Sequence, residues 1–250
     1  MKARRPERRP LAVIFDMDGL MLDTERLAPR AWTAAAEAMN IEFDHALIPG
    51  MVGRNFRDCR AHLSGHYGDD YPTDELLQAW HVAYEAIIAR EGIGVKPGVE
   101  AVLDWLDQHA IPRAVATSTR RDRAQAKLAQ TGFLSRIDAL VGGDEVERGK
   151  PEPDIFLLAA ARLQAAPDAC IVLEDSEPGV RAAIAEIAPD HARYQRVVEF
   201  DVHGPGRRRP RAWRESLGVQ HQAIHIEDDG ERAPLRPTGL HCTRRPRRMR

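Results

Sequence analysis

Two aspartates stand close together near the start of this chain, directly after a short apolar run. Asp16 and Asp18 follow the apolar residues 11–15, and Gly19 comes next. The run predicts a strand covered on both faces, as in a parallel sheet, and open α/β sheets bind ligands beyond the carboxyl ends of their strands. Because side chains alternate along an extended backbone, the two carboxylates lie on the same side, where a cation or a shared proton must relieve their repulsion. The pattern suits metal-assisted chemistry, but taken alone it is at least as typical of an acidic loop without a chemical role.

Three further polar clusters follow later predicted strands. They are Thr117-Ser118-Thr119 after residues 113–116, Lys150 in the loop 149–154, and Glu174-Asp175-Ser176 after residues 170–173. Hydroxyl and free N–H groups at such a position can hold an oxyanion, and Pro151 stiffens the loop that projects the Lys150 ammonium. Each cluster alone has an ordinary explanation, since a Ser/Thr run is commonly a helix N-cap and a single lysine is commonly a solvated charge. Four clusters at strand ends predict one shared site.

Composition and length place the chain among globular proteins. It has 250 residues, a net charge of -2, and 43% hydrophobic residues, which is enough for one large or two small domains. No apolar run approaches the roughly 20 residues that a membrane-spanning helix needs. Cys59, Cys170 and Cys242 are too widely spaced for a disulfide framework or a zinc site. We therefore expect a soluble, cytoplasmic protein with reduced thiols and no membrane partner.

A helical segment follows the first strand. Helices are predicted over residues 24–39, with Asp23 or Thr24 as the N-cap, and over residues 53–66 and 73–90. The leucines and aromatic residues of the third helix recur at helical spacing and are expected to pack in a core. A glycine-rich linker at 92–98 ends the segment. Residues 24–92 thus form a predicted small helical domain.

After the linker the pattern alternates between helices and strands. Helices are predicted at 99–109, 122–130 and 153–163, and strands at 113–116, 139–141 and 170–173. Alternation of this length predicts a parallel sheet with right-handed crossovers, so the fold class is α/β. The first strand belongs to the same sheet. Residues 11–23 and 97–184 therefore form one predicted domain, and the helical domain is an insertion in it.

In this order and with this insertion, the four clusters resemble the haloacid dehalogenase-like superfamily. The stretches concerned are D-M-D-G-L-M-L-D-T-E from Asp16, the T-S-T cluster, G-K-P-E-P-D from Gly149, and L-E-D-S-E-P-G from Leu173. They look like the branch of sugar-phosphate phosphatases and β-phosphoglucomutases, and the resemblance covers residues 11–184. It implies a Rossmann-like catalytic core, a helical cap, and Mg²⁺-dependent phosphoryl transfer on a small phosphorylated metabolite.

The resemblance also implies roles for individual residues. Asp16 matches the nucleophile that forms an aspartyl phosphate. Asp18 matches the acid that protonates the leaving alcohol and then the base that activates water. Thr117 and the N–H of Ser118 would bind the phosphoryl oxygens, and Lys150 would neutralise charge on the phosphate and on Asp16.

A magnesium site is implied at the same place. Asp16, the backbone carbonyl of Asp18, and Asp175 match its ligands, and Glu174 lies near or in the coordination shell. Oxygen ligands and retained waters suit Mg²⁺.

Three positions of the helical domain bear on the substrate. Thr24 matches the hinge between cap and core, and Arg54 matches a cap arginine that contacts the distal anionic group of the substrate. The mutases of this branch carry a histidine at the position of Ala28, where it couples cap closure to proton transfer. Alanine there favours simple hydrolysis, so a phosphatase is expected and a phosphosugar mutase is the alternative.

The resemblance stops near Ile184. Residues 185–250 are rich in Arg, Pro and His, contain no lysine, and have no core-forming period. One interpretation is a basic tail that binds nucleic acid or another polyanion, with the core as an inert scaffold. The interpretation we favour is a change of reading frame near Ile184, because the break falls inside a helix of the family. An irregular tail is then expected, and the sheet would lack an edge strand.

Overall fold

A single parallel sheet forms the centre of the molecule. The structure, a computed structural model, describes residues 12–185 and 197–199. The strands of the described residues are β1 (Ala12–Phe15), β2 (Arg113–Ala116), β3 (Ala139–Val141), β4 (Cys170–Glu174) and β5 (Val197–Glu199). They lie in the order β3-β2-β1-β4-β5, and every neighbouring pair is parallel. The predicted α/β fold with a parallel sheet is confirmed.

Strand β1 lies between β2 and β4, which explains its continuous apolar sequence. Ile14 is in register with Ala114 on one side and with Val172 on the other. All four residues of β1 are buried, because helices cover both faces of the sheet. The carboxyl ends of β1, β2 and β4 therefore meet at one edge of the sheet.

Seven α-helices lie within the described residues. They are α1 (Ala28–Met39), α2 (Phe56–Tyr67), α3 (Thr73–Glu91), α4 (Val99–Gln108), α5 (Arg121–Gln130), α6 (Asp154–Arg162) and α7 (Glu177–Ala185). Helices α4 and α5 contribute Leu103 and Leu128 to the apolar cluster on one face of the sheet. Helix α6 contributes Phe156 to the cluster on the other face. Both faces of the sheet are thus covered, as a parallel sheet requires.

Helices α1, α2 and α3 form a separate packed unit between β1 and β2. Trp32 of α1 stacks on Phe43 and on Trp80 of α3, with ring centroids 5.0 and 5.2 Å apart. The stripe on α3 is buried, including Leu76 and Tyr84, so its predicted role in packing is confirmed. The helical cap inserted after the first strand is also confirmed. The domain boundaries 11–23, 24–92 and 97–184 stay predictions.

Two helices of this unit begin later than predicted. Helix α1 begins at Ala28, and not at residue 24, because Pro29 has no N–H to donate and fits only the first turn. Helix α2 begins at Phe56, because the Asn55 side chain accepts a hydrogen bond of 2.9 Å from Asp58 N and caps the helix there. Residues 53–55 are therefore a loop, which matters for the contact between the helical unit and the sheet.

Strand β5 corrects the expectation that the sheet has no further strand beside β4. Val197 is in register with Val172, and Glu199 with Glu174. The prediction of an irregular tail is wrong at this point, because two adjacent β-branched valines favour an extended strand. Residues 186–196 and 200–250 lie outside the described residues, so the polyanion-binding tail and the changed reading frame both stay predictions.

No described helix is both long enough and apolar enough to cross a lipid bilayer. The expected cytoplasmic location stays a prediction.

Candidate active site

The predicted site residues gather at the carboxyl edge of the sheet. Asp16 directly follows β1, and its N–H donates a hydrogen bond of 2.9 Å to the carbonyl of Leu173 in β4. Thr117 directly follows β2, and its N–H donates to the carbonyl of Val141 at 3.0 Å. The hydrogen bonding of the sheet thus continues one residue into each loop. It fixes the backbone positions from which the functional side chains extend.

Lys150 is the largest fully buried side chain of the described residues, with 1% exposure. Its Nζ donates to Asp16 Oδ1 at 2.5 Å and to Glu174 Oε2 at 2.6 Å. Burial lowers the pKa of Lys150, but the two carboxylates outweigh burial and hold that pKa above its ordinary value. Lys150 is therefore a buried ammonium shared by two strand ends, and a solvated surface lysine is excluded.

Asp16, Glu174 and Asp175 form a buried carboxylate cluster. One oxygen of each lies within 4.8 Å of the others. Burial and the Glu174 carboxylate raise the pKa of Asp16 well above its ordinary range, and the Lys150 ammonium opposes this only in part. One ammonium faces three carboxylates, so a second cation with oxygen ligands fits the charge and the chemistry of the cluster.

Glu174 also binds the loop after β4, in addition to its ion pair with Lys150. Its Oε1 accepts hydrogen bonds from Ser176 Oγ at 2.7 Å and from Ser176 N at 3.0 Å. A Cβ on Gly179 would overlap the Glu174 carboxyl group, so the first turn of α7 leaves just enough room for it. Glu174 therefore positions both Lys150 and the loop after β4.

Asp18 is held by a different set of donors. Lys127 Nζ of helix α5 lies 2.8 Å from Asp18 Oδ1, and Thr119 Oγ1 donates to Asp18 Oδ2 at 2.6 Å. Thr117 Oγ1 is more distant from the same oxygen, at 3.5 Å. Burial raises the pKa of Asp18, but the Lys127 ammonium and these hydrogen bonds outweigh it, so the pKa lies below its ordinary value. Asp18 thus rests as a carboxylate.

The sequence did not single out Lys127 or assign a role to Thr119. Lys127 lies in a helix of mostly polar residues, where a lysine is ordinarily solvated. The sequence does contain an indication that Lys127 is buried, because it follows Ala124 by three residues and precedes Leu128 by one. This spacing puts it on the buried face of the helix.

Ser118 joins the sheet to the helical unit. Its Oγ donates a hydrogen bond of 2.8 Å to the carbonyl of Gly53, in the loop before α2. A Cβ on Gly53 would lie 2.6 Å from Ser176 Oγ, so this loop also lies against the loop after β4. The loop 53–55 therefore covers the edge of the sheet where the carboxylates lie.

Two predicted residues of the helical unit have different surroundings. Thr24 is buried, and its Oγ1 donates a hydrogen bond of 3.4 Å to the carbonyl of Leu22. Its hydroxyl also contributes to the lowered pKa of Asp18, so the structure brings Thr24 to the site. Arg54 is exposed beside Gly53. Within the described part of the chain, no hydrogen bond or ion pair joins Arg54 to the carboxylate cluster. Its contact with a substrate stays a prediction.

Comparisons with known proteins agree with this geometry. The chain is 33% identical over 172 residues to a phosphorylated carbohydrates phosphatase of Thermotoga maritima, and the aligned residues cover 69% of this chain and 79% of the relative. It is 30% identical over 177 residues to the β-phosphoglucomutase of Bacillus subtilis, with 68% and 77% covered. The crystal structure of a hydrolase from Pseudomonas syringae superposes with a TM-score of 0.68 at 27% identity, covering 84% of this chain and 92% of that one.

The family itself is shown by a match over most of the chain. The family model for haloacid dehalogenase-like hydrolases matches residues 10–185. This range contains all four clusters at the strand ends and the inserted helical unit. The predicted resemblance and the prediction of a hydrolytic enzyme are confirmed, and the chain belongs to the haloacid dehalogenase-like hydrolases.

Proposed function

We propose that this protein is a Mg²⁺-dependent phosphatase that hydrolyses a small phosphorylated metabolite through an aspartyl phosphate on Asp16. The observation that carries the proposal is the buried cluster in which Lys150 bridges Asp16 and Glu174 beside Asp175. Such a cluster costs stability unless it binds a ligand that balances its charge. The relatives named above support a sugar phosphate or a similar compound as the substrate.

Asp16 is the proposed nucleophile because of its position. It follows the central strand of the sheet, and its Oδ1 is fixed by Lys150. In the proposed reaction an oxygen of Asp16 forms a bond to phosphorus while the bond from phosphorus to the substrate oxygen breaks. Lys150 balances charge on both the carboxylate and the phosphoryl group.

Thr117 and Ser118 are the proposed binding groups for the phosphoryl oxygens. Thr117 directly follows β2 at the same edge of the sheet as Asp16. The backbone N–H of Ser118 donates no hydrogen bond to any described residue, whereas its hydroxyl is engaged by Gly53. An N–H fixed by the adjoining strand can stabilise negative charge without reorganising during the reaction.

Asp18 is the proposed acid and base. It first protonates the leaving alcohol, and it then takes a proton from the water that hydrolyses the aspartyl phosphate. The resting carboxylate described above suits the second step directly. For the first step, Asp18 must take up a proton when substrate binds.

Asp16, Asp175 and the backbone carbonyl of Asp18 are the proposed ligands of Mg²⁺. When bound, the ion would supply positive charge that stabilises the transferring phosphoryl group. The space for this arrangement depends on Gly19, because a Cβ there would lie 2.6 Å from Asp175 Oδ2.

Phosphosugar mutation is the alternative, and Ala28 argues against it. Ala28 is the first residue of α1, and its methyl side chain offers no group that can carry a proton. A mutase needs such a group at this place to couple closure to proton transfer, according to the resemblance. We therefore propose that water, and not a second sugar hydroxyl, accepts the phosphoryl group.

The test is hydrolysis of a panel of phosphorylated metabolites by the purified full chain in the presence of Mg²⁺. Release of inorganic phosphate is expected for at least one sugar phosphate. Asp16→Asn is expected to abolish release while the chain remains folded, because the change removes the nucleophile and one charge but almost no volume. Asp70→Asn, at an exposed position, is the matched control. If Asp16→Asn retained more than a few per cent of the Mg²⁺-dependent rate, Asp16 would not be the nucleophile.

A further inference from the structure

Lys127 is a buried lysine that the proposed mechanism does not use. It is 8% exposed on the face of α5 that packs on the sheet, between the buried Ala124 and Leu128. A lysine in such a position is costly unless its ammonium is paired, and an apolar residue would suit this face of the helix better. The partners of Lys127 therefore indicate what it does.

The first partner of Lys127 is Asp18. Lys127 Nζ holds Oδ1 at 2.8 Å, while Thr119 holds Oδ2 at 2.6 Å. The donors come from two separate elements, α5 and the loop after β2, so both oxygens of one carboxylate are fixed from two directions. A carboxylate held in this way keeps one orientation in a loop that would otherwise allow several.

The second partner of Lys127 is Tyr84 of helix α3, which belongs to the helical unit. The Lys127 ammonium lies 3.3 Å from the Tyr84 hydroxyl and 5.0 Å from the centre of its ring. Tyr84 is itself fixed, because it is 5% exposed and stacks on Trp80 with ring centroids 4.9 Å apart. Lys127 therefore contacts the acid and base residue of the site and the helical unit at the same time.

We propose that Lys127 is a positioning residue that orients the Asp18 carboxylate for proton transfer and ties that orientation to Tyr84 of the helical unit. The inference rests on the proposed role of Asp18. It adds Lys127 of α5 and Tyr84 of α3 to the residues that influence the reaction. Of the proposed catalytic and binding residues, Lys127 contacts Asp18, so its effect on the reaction must pass through the Asp18 carboxylate.

The first experiment measures the steady-state kinetics of Lys127→Met with two substrates, a sugar phosphate and an aryl phosphate. Methionine keeps the length of the side chain and removes the ammonium. We expect kcat for the sugar phosphate to fall about 10–100-fold with KM changed less than about 3-fold, because misplacing a proton donor affects the chemical step. The aryl phosphate, whose leaving group needs little protonation, should lose less than about 3-fold.

Two variants separate this role from a merely structural one. Lys96→Met removes another largely buried lysine that pairs with an aspartate, at 3.4 Å from Asp23, and is expected to leave both substrates unaffected. Tyr84→Phe removes only the hydroxyl, and we expect it to lower kcat for the sugar phosphate by about 2–5-fold, because Lys127 loses one long hydrogen bond and keeps the shorter one to Asp18. An equal loss on both substrates in Lys127→Met would mean that Lys127 only supports the fold, and would overturn the inference.

The second experiment compares Asp18→Asn with the double variant Asp18→Asn/Lys127→Met. The double variant leaves no unpaired charge at this place, so it keeps the comparison possible even if Lys127→Met alone fails to fold. If Lys127 acts through Asp18, the double variant turns over the sugar phosphate at the rate of Asp18→Asn within about 2-fold. A further loss of about 10-fold or more would show that Lys127 acts independently of Asp18, and would overturn the inference.

The proposed function is checked in the same assay. If the unsubstituted chain hydrolyses neither an aryl phosphate nor any member of the panel of phosphorylated metabolites, the proposed function fails and the inference fails with it. If the unsubstituted chain is active, Asp16→Asn is inactive, and Lys127→Met matches the unsubstituted chain on both substrates, the inference alone fails.

Discussion

Gly19 and Asp175 lie so close together that a side chain on Gly19 would displace the Asp175 carboxylate. A Cβ on Gly19 would be 2.6 Å from Asp175 Oδ2. Gly19 also has a φ of 92°, in the left-handed region that favours glycine. Glycine is therefore required at position 19 for two reasons, the left-handed backbone conformation and the space that the Asp175 carboxylate occupies.

Gly19→Ala is expected to impair both stability and metal activation. The unfavourable backbone conformation should lower the free energy of unfolding by about 1–3 kcal/mol. The displaced Asp175 carboxylate should raise the Mg²⁺ concentration needed for half-maximal activity. Denaturant unfolding and Mg²⁺ titration of the activity measure the two effects.

Gly132→Ala is the matched control for that substitution. Gly132 has a φ of 78°, but its Cβ would meet nothing within 4 Å. It should therefore show a loss of stability from backbone strain and an unchanged Mg²⁺ requirement. If the two variants shared the same Mg²⁺ requirement, Gly19 would not be shaping the metal site.

Removal of divalent metal is expected to abolish hydrolysis and to destabilise the fold. Chelation by EDTA should stop the reaction, and added Mg²⁺ should restore it. Because Mg²⁺ would relieve repulsion among buried carboxylates, it should also raise the free energy of unfolding, by about 2.7 kcal/mol at 100 times its dissociation constant. Asp175→Asn should reduce that increase, whereas Asp168→Asn, at an exposed position, should not. Denaturant unfolding with and without Mg²⁺ provides the measurement, and an increase of equal size in all three proteins would speak against this metal site.

Asp18→Asn is expected to slow hydrolysis most for substrates whose leaving alcohol is weakly acidic and therefore needs protonation. Asparagine cannot donate or take up the proton, and such assistance contributes about 10²–10⁴-fold to alcohols that leave poorly. An aryl phosphate should therefore lose less activity than a sugar phosphate, as measured by kcat for each. The assigned role of Asp18 would be wrong if both substrates lost the same factor.

Glu145 is expected to make the stability of the protein depend on pH in the acid range. Its carboxylate accepts hydrogen bonds from Arg162 at 2.6 and 3.1 Å and from Gly142 N at 2.8 Å. The hydrogen bonds from Arg162 are the main cause that lowers the pKa of Glu145 from its ordinary value of 4.5 to about 2. A lowered pKa in the folded state stabilises the fold above the ordinary pKa, and this stabilisation is lost as the pH falls from 4.5 towards 2.

Glu145→Gln tests that dependence. Because Glu145 and Arg162 are partly exposed, we expect the substitution to lower the free energy of unfolding by about 1–2 kcal/mol near neutral pH. The difference from the unsubstituted protein should shrink as the pH approaches 2. Glu147→Gln, at an exposed position two residues away, changes the same charge and is the control. A difference that stayed constant over the whole pH range would contradict the role of Glu145.

The parts of the fold that could be predicted are those set by local sequence pattern. Strands β2 and β3 have the predicted bounds, and β1 and β4 lie within one residue of theirs. The strand ends also predicted where Asp16 and Lys150 meet, because parallel strands bring their carboxyl ends together. Chemistry concentrated at strand ends is visible in the sequence, since apolar runs and polar clusters alternate there.

The parts that could not be predicted depend on contacts between distant segments. The Lys127 ammonium meets Asp18, which is 109 residues away in the chain, and Tyr84, which is 43 residues away. Nothing in the local pattern distinguishes this lysine from a solvated one except its place on the buried face of α5. Strand β5 was missed for a related reason, because three residues carry too little periodicity to be separated from their surroundings.

Ser118 Oγ donates its hydrogen bond to the backbone carbonyl of Gly53, so the helical unit contributes no side-chain atom to this contact. Neighbouring side chains in this loop, Val52, Arg54 and Phe56, are exposed and take no part in it. These three residues can therefore vary without removing the hydrogen bond that holds the helical unit on the sheet. If the predicted contact of Arg54 with the substrate holds, a library randomised at positions 52, 54 and 56 with Gly53 and Ser118 kept should change which phosphorylated compounds are hydrolysed.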